Sequence, residues 1–228
     1  MVPFSANGVT HSIETDGSPT RHTDGQMARR LTQLLAGLVL YGVSLTMILL
    51  SALGNSPWDV LHQGLSRSFG LGTGTWVIIV GAVLLLLWIP LRQRPGIGTI
   101  SNVIVVGVII DLLLPQFEEP SAMVVRVALL LIGILLCGIA TGLYIGADFG
   151  PGPRDGLMTG LADRGISIRV ARTGIEVFVL ATGWALGGTI GVGTLIFAFA
   201  IGPLAHIFLP IFDVRRTRRT DLPDVALP

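Results

Sequence analysis

Long apolar runs separated by short polar or glycine-rich breaks organise this chain, at about Leu31 to Leu53, Gly74 to Leu91, Ile97 to Leu114, Met123 to Ala147, Thr173 to Gly188 and Val192 to Phe212. Each approaches the roughly 20 residues that carry a helix across a bilayer. A membrane-spanning strand would alternate apolar and polar positions, and none of these runs does. Lipid offers backbone N–H and C=O groups no partners, so each run must satisfy its own groups as a helix. The pattern predicts an all-α membrane protein with six transmembrane helices.

The runs fall into two copies of one unit. Shifted by 96 positions, Arg30 to Leu65 aligns with Arg126 to Leu161 without a gap and is identical at 12 of 36 positions. The identities include Gly37 with Gly133, Gly42 with Gly138, Gly54 with Gly150, Pro57 with Pro153, Asp59 with Asp155 and Gly64 with Gly160, which apolar bias does not produce. Further on a shift of 95 pairs Gly96-Ile97-Gly98-Thr99 with Gly191-Val192-Gly193-Thr194, and Asp111 with His206. Repeats of this kind set an architecture. With three spans per copy, the second copy enters the membrane from the opposite face, so the fold is expected as two inverted three-helix repeats. The division reads as a disordered polar tail over 1–29, repeat 1 over 30–117, repeat 2 over 118–212 and a basic tail over 213–228.

Each copy breaks after its first span, at Gly54-Asn55-Ser56-Pro57-Trp58-Asp59 and at Gly150-Pro151-Gly152-Pro153-Arg154-Asp155. Ser before Pro, with Asp three residues after the Ser, reads as an N-cap, a first-turn proline and an acidic side chain at the positive helix end. A short helix is therefore expected from Pro57 and another from Pro153, stopping near Gly165. Trp58, Leu61 and Leu65 share one face, as do Leu157 and Leu161. Such helices either lie on the membrane interface or re-enter it with their N-termini lining a pathway, and the sequence leaves both open.

Composition agrees with the pattern: 51% of residues are hydrophobic and 13% charged, with a mean hydropathy of +0.75. All 15 basic residues are Arg, and a cytoplasmic N-terminus puts all but Arg67 and Arg126 on the inner side. The excess of inner Arg places both termini in the cytoplasm. A removable signal peptide is not expected, and Met27-Ala-Arg-Arg reads as an alternative start. The strip from Arg215 to Arg219 would meet anionic lipid. The single Cys137 excludes an intrachain disulfide or a cysteine metal cluster and reads as a small packing residue.

Candidate chemistry is sparse. Asp59 and Asp155 occupy equivalent positions and serve as helix caps or as ligands of a solute or ion, with Asn55, Ser56 and His62 beside the first. Arg154 has Asp155 and Asp148 as nearby counter-charges. Asp111, Glu176 and His206 fall inside spans, where ionisable groups mark pathways by default; Asp111 and His206 are expected near opposite faces, and Glu176 near Arg172. Glycines at 138, 142 and 146, and at 183 and 187, let helices approach closely within the chain or, alternatively, in a homodimer. Asp148-Phe149-Gly150 lacks every other part of a kinase site, and the chain contains no Lys. No catalytic constellation, metal site or cofactor is expected, so an enzyme is not.

The motifs Leu53-Gly-Asn-Ser-Pro-Trp-Asp59 and Asp148-Phe-Gly-Pro-Gly-Pro-Arg-Asp-Gly156, with the two Gly-x-Gly-Thr turns, resemble the YczE/YyaS/YitT group of bacterial integral membrane proteins over about residues 30 to 212. The resemblance implies a multi-pass protein of the bacterial cell membrane and carries no functional residues across. Expected partners are the lipid bilayer and a small solute or ion of unknown identity, with no nucleic acid. The function expected is a small permease or channel-like carrier; the alternative is a non-transporting assembly or regulatory partner in the membrane.

Overall fold

A computed structural model describes residues 20–214, with side chains from residue 25. The far N-terminal tail and the Arg215 to Arg219 strip lie outside the described residues. The described chain is all-helical: α1 (Thr20–Ser51), α2 (Pro57–Phe69), α3 (Thr73–Leu91), α4 (Ile97–Leu113), α5 (Met123–Gly146), α6 (Pro153–Ala162), α7 (Ile168–Ala185) and α8 (Val192–Phe212). A single 3-10 turn, Leu114–Gln116, joins α4 to α5. Helix α1 already begins at Thr20, ahead of the first apolar run.

Five helices are long and apolar enough to cross a membrane, namely α1 (from Gly25), α3, α4 with its 3-10 turn, α5 and α8. Helix α7, expected as a sixth span, is not among them. It has 18 residues and carries Arg169, Arg172 and Glu176 in its first half, which lowers its hydropathy below that of the others.

The core is a crossing of α1 with α5, flanked by α4 on α1 and α8 on α5. Glycines set these approaches. A methyl on Gly37 would lie 2.8 Å from the Tyr144 backbone nitrogen, and one on Gly133 2.8 Å from Ile48. Gly42 faces Ile109 of α4, while Gly138, Gly142 and Gly146 face Leu204, Phe208 and Phe212 of α8. The α5 glycine face is thus covered by α8 of the same chain. Cys137 is fully buried in this core.

The ends of α1 and α5 show that these helices run antiparallel. Arg126, one turn into α5, donates to the carbonyls of Ser51 (2.7 Å) and Ala52 (2.8 Å) at the end of α1. Arg30, early in α1, donates to the carbonyls of Ala147 (3.0 Å) and Asp148 (2.8 Å) at the end of α5. Ala52 and Asp148 are both left-handed, with φ of 49° and 61°. Such a residue ends a helix and leaves its last carbonyls unpaired, which a guanidinium can satisfy. The bundle therefore has an Arg30 end and an Arg126 end.

Loops cross between the copies in the same reciprocal way. Gly193 N–H donates to Leu53 C=O (2.8 Å) and Gly98 N–H to Phe149 C=O (2.9 Å). Gly54 and Gly150, with φ of 120° and 114°, come so close to Gly191 and to the Thr99 hydroxyl, respectively, that a side chain would collide. Thr99 and Thr194 complete each turn by accepting from Gly96 and Gly191 N–H.

Candidate functional site

The two short helices form as the motifs dictate. Ser56 is the N-cap of α2, its hydroxyl accepting from Asp59 N–H at 3.3 Å, and Pro57 opens the helix; Gly70 ends it in the left-handed region at φ 80°. Gly152 takes the Ser56 position before Pro153, without a capping side chain. Helix α6 ends at Ala162, shortly before Gly165.

Neither helix lies flat on the surface of the bundle. Trp58 packs with Leu84 and Val179, and Leu61, Val80, Leu157 and Ile175 close around them, at the middle of α3 and α7. Helix α2 packs along α7 and helix α6 along α3. Gly183 admits the α2 backbone, and Gly156 lies under the Trp88 ring, whose Nε1 donates to Pro153 C=O (3.0 Å). The helices leave toward opposite ends: Arg67 of α2 donates to Gly187 C=O (2.6 Å), and Gly160 of α6 lies against Leu91 and Gln93.

Their N-terminal tips meet. The Arg154 guanidinium stands 3.9 Å from Asp59 Oδ1 and 5.1 Å from the centre of the Trp58 ring, a cation–π arrangement. Asp59 also takes the Ser56 hydroxyl and faces His62 Nδ1 at 3.5 Å, with both side chains almost fully buried. The sequence offered Asp155 and Asp148 as counter-charges for Arg154. Asp148 instead pairs with Arg30 at 3.5 Å, because the left-handed turn after α5 carries it to the start of α1.

Around the tips lies a cavity of about 470 Å³. Its polar lining includes Ser56, His62, Arg154, Asp155, Arg172, Glu176 and His206, and its aromatic lining Tyr41, Trp58, Tyr144 and Phe197. Arg172 and Glu176 pair at 3.1 Å, as their spacing predicts. Asn55 stays outside the lining, fully buried, with its amide donating to Gln63 (3.1 Å) and its carbonyl oxygen unpartnered. Asp111 is also elsewhere: its carboxylate accepts from Gly74 N–H (2.6 Å) and the Thr75 hydroxyl (2.5 Å), tying the start of α3 to α4. No group of metal-ligating side chains occurs among the described residues.

The cavity exists because the two copies differ. In the first copy α3 packs on α4, with Gly74 against Gly107, Gly81 against Val103, and the Asp111 tie. Under the shift of 95 these positions become Arg169, Gly202, Glu176, Ala198 and His206. The small residues of α3 are charged in α7, the tie is lost, and α7 stands off α8. Lining residues absent from the candidates read off the sequence include Tyr41, Trp58, Asn102, Thr141, Tyr144 and Arg172. Comparing the copies position by position along α3 and α7 would have pointed to this wall.

Apolar helices of spanning length around a broken-helix centre define a multi-pass helical membrane protein. The chain belongs to a family of unknown function, DUF6198, whose model matches residues 28–210. An uncharacterised protein of Haemophilus influenzae is 38% identical over 184 residues, covering 80% of this chain and 84% of that protein. The uncharacterised membrane protein YczE of Bacillus subtilis is 36% identical over 192 residues, covering 81% and 87%, and YyaS of the same organism is 29% identical over 182 residues, covering 78% and 90%. No solved structure matches the chain.

Proposed function

We propose that this protein is a small solute carrier of the bacterial cell membrane, built as two inverted repeats with both termini in the cytoplasm. The antiparallel α1 and α5, the reciprocal Arg caps and the reciprocal loop contacts support the inverted arrangement. The mid-bundle meeting of two half-helices is the arrangement in which inverted-repeat transporters hold substrate. Helix α7 then completes the sixth crossing, with its Arg172 and Glu176 lining the cavity. No enzymatic role enters this reading.

The observation that carries it is the cavity. Its lining runs from His206 and Leu209 near the end of α8, and Arg172 near the start of α7, inward to Trp58 and His62 at the tip of α2. Those outer residues lie toward the Arg30 end, whereas α2 and its contacts with the α7–α8 turn occupy the Arg126 end. A chamber that reaches from the Arg30 end to the middle of the bundle suits one state of an alternating-access cycle.

Purified protein in liposomes should take up a solute from a labelled panel of amines, amino acids and inorganic ions. Ala198→Trp, which puts a large ring into the chamber from α8, should abolish uptake while leaving a monodisperse protein. Full uptake in that variant would remove the chamber from the pathway.

The second reading, a non-transporting membrane partner, draws on α8, whose apolar window is only 6% buried by the chain itself. A stable stoichiometric complex with another membrane protein, together with no uptake from the panel, would favour it.

A further inference from the structure

We propose that the cavity between α6, α7 and α8 binds a small organic cation carrying an ammonium or guanidinium group, with Asp155 as its counter-ion; this names the solute class of the carrier reading and rests on it. Charges around the chamber are nearly all committed. Arg154 is matched by Asp59 at 3.9 Å and lies on the Trp58 face. Arg172 is matched by Glu176 at 3.1 Å. Asp155 remains: it is exposed into the chamber and makes no ion pair within 4.0 Å with any described residue. With histidines uncharged, the set Asp59, Asp155, Glu176, Arg154 and Arg172 carries one more negative charge than positive.

An anionic ligand is the natural rival, because two helix N-termini point into the chamber. Each tip, however, already has its own first-turn carboxylate, Asp59 on α2 and Asp155 on α6. Arg154 sits between the tips and adds the positive charge that Asp59 balances. A second anion would meet Asp155, whose charge no ion pair cancels, whereas a cation relieves it.

His62 lines the chamber at 1% exposure, with its Nδ1 turned to Asp59 Oδ1 at 3.5 Å. With the Nδ1 proton directed at that carboxylate, Nε2 is the acceptor that the neutral imidazole offers to an N–H donor. The walls suit the apolar remainder of such a ligand. Tyr41, Tyr144 and Phe197 offer aromatic faces, and Trp58 already holds a guanidinium on its own. A volume of about 470 Å³ is within the range for small-molecule sites.

The test is thermal unfolding of the purified full-length protein in detergent micelles, titrated with phenethylammonium, methylammonium or guanidinium chloride, and in parallel with sodium phenylacetate. The ring is shared between the first and last probes, so partition into the micelle is controlled. At least one cation should raise the melting temperature saturably while phenylacetate does not. Asp155→Asn should weaken the apparent affinity about tenfold or more, as expected for loss of a charge-assisted contact, and Asp155→Glu should retain most of it. Stabilisation by phenylacetate alone, an equal response in the wild type and Asp155→Asn, or no response to any of the three cations would overturn the assignment. Binding without uptake in liposomes would refute the carrier reading and leave the site standing; uptake of phenylacetate but no cation would do the reverse.

Discussion

Removing Arg154 should destabilise the protein mainly through the charge it leaves behind. Asp59 is buried at 2% side-chain exposure, and Arg154, at 24%, is its nearest cation at 3.9 Å. At that separation Coulomb's law gives about 4 kcal/mol with an effective dielectric constant near 20. Breaking such a pair from one side typically costs about 3–5 kcal/mol, because the surviving charge stays desolvated. Arg154→Met is therefore expected to cost about 3 kcal/mol. Asp59→Asn, which removes the buried charge and leaves Ser56 able to cap α2, should cost less, about 1–2 kcal/mol. The double variant should lose far less than the sum, giving a coupling energy of about 2–3 kcal/mol. Unfolding by added SDS in micelles, followed by the fluorescence of the four tryptophans, measures all three variants. Additivity within about 0.5 kcal/mol would mean that the two tips do not communicate, and the meeting of α2 and α6 would have to be abandoned.

Arg30→Met and Arg126→Met each remove two charge-assisted hydrogen bonds from a helix end, and each should lower stability by about 2 kcal/mol in the same unfolding assay, with similar effects if the two ends are equivalent. Gly156→Val should push α6 off the Trp88 ring and cost about 1–3 kcal/mol. Gly174→Ala, in open space on α7, should instead be neutral or stabilising by up to about 1 kcal/mol. Single cysteines at the exposed Arg94 and Glu118, in a Cys137→Ala background, should react with an impermeant thiol reagent from opposite faces of the membrane. Same-face labelling would sink the proposed topology.

Local chemistry made the short helices legible. Ser56, Pro57 and Asp59 specify a start whatever surrounds them, and α2 begins at Pro57, as α6 does at Pro153. Depth was not legible, because it depends on Leu84 and Val179 meeting Trp58 across the bundle, and no local signal records such contacts. The same applies to Arg154, whose partner Asp59 is 95 positions away and is reached only because two half-helices point at each other. Asp111 looked like an intramembrane charge of functional interest; in the fold it anchors the first turn of α3. Duplication was plain in the sequence, yet identities between copies located the scaffold. The cavity follows from differences, above all Gly81 against Glu176 and Asp111 against His206.

The reciprocal loop contacts have a meaning for biosynthesis. When the first half of the chain has emerged and inserted, the acceptor for Gly98 N–H at Phe149, the acceptors for Arg30 at Ala147 and Asp148, and the donor for Leu53 C=O at Gly193 are all still missing. That half is a fold without its closing pieces, and translation of the second half supplies every one of them. On the inverted reading, two separate single copies could supply the same contacts to each other only by inserting in opposite orientations. Expressing residues 1–117 and 118–228 as separate chains would therefore ask whether the halves can find, in the membrane, the partner that the covalent link now guarantees.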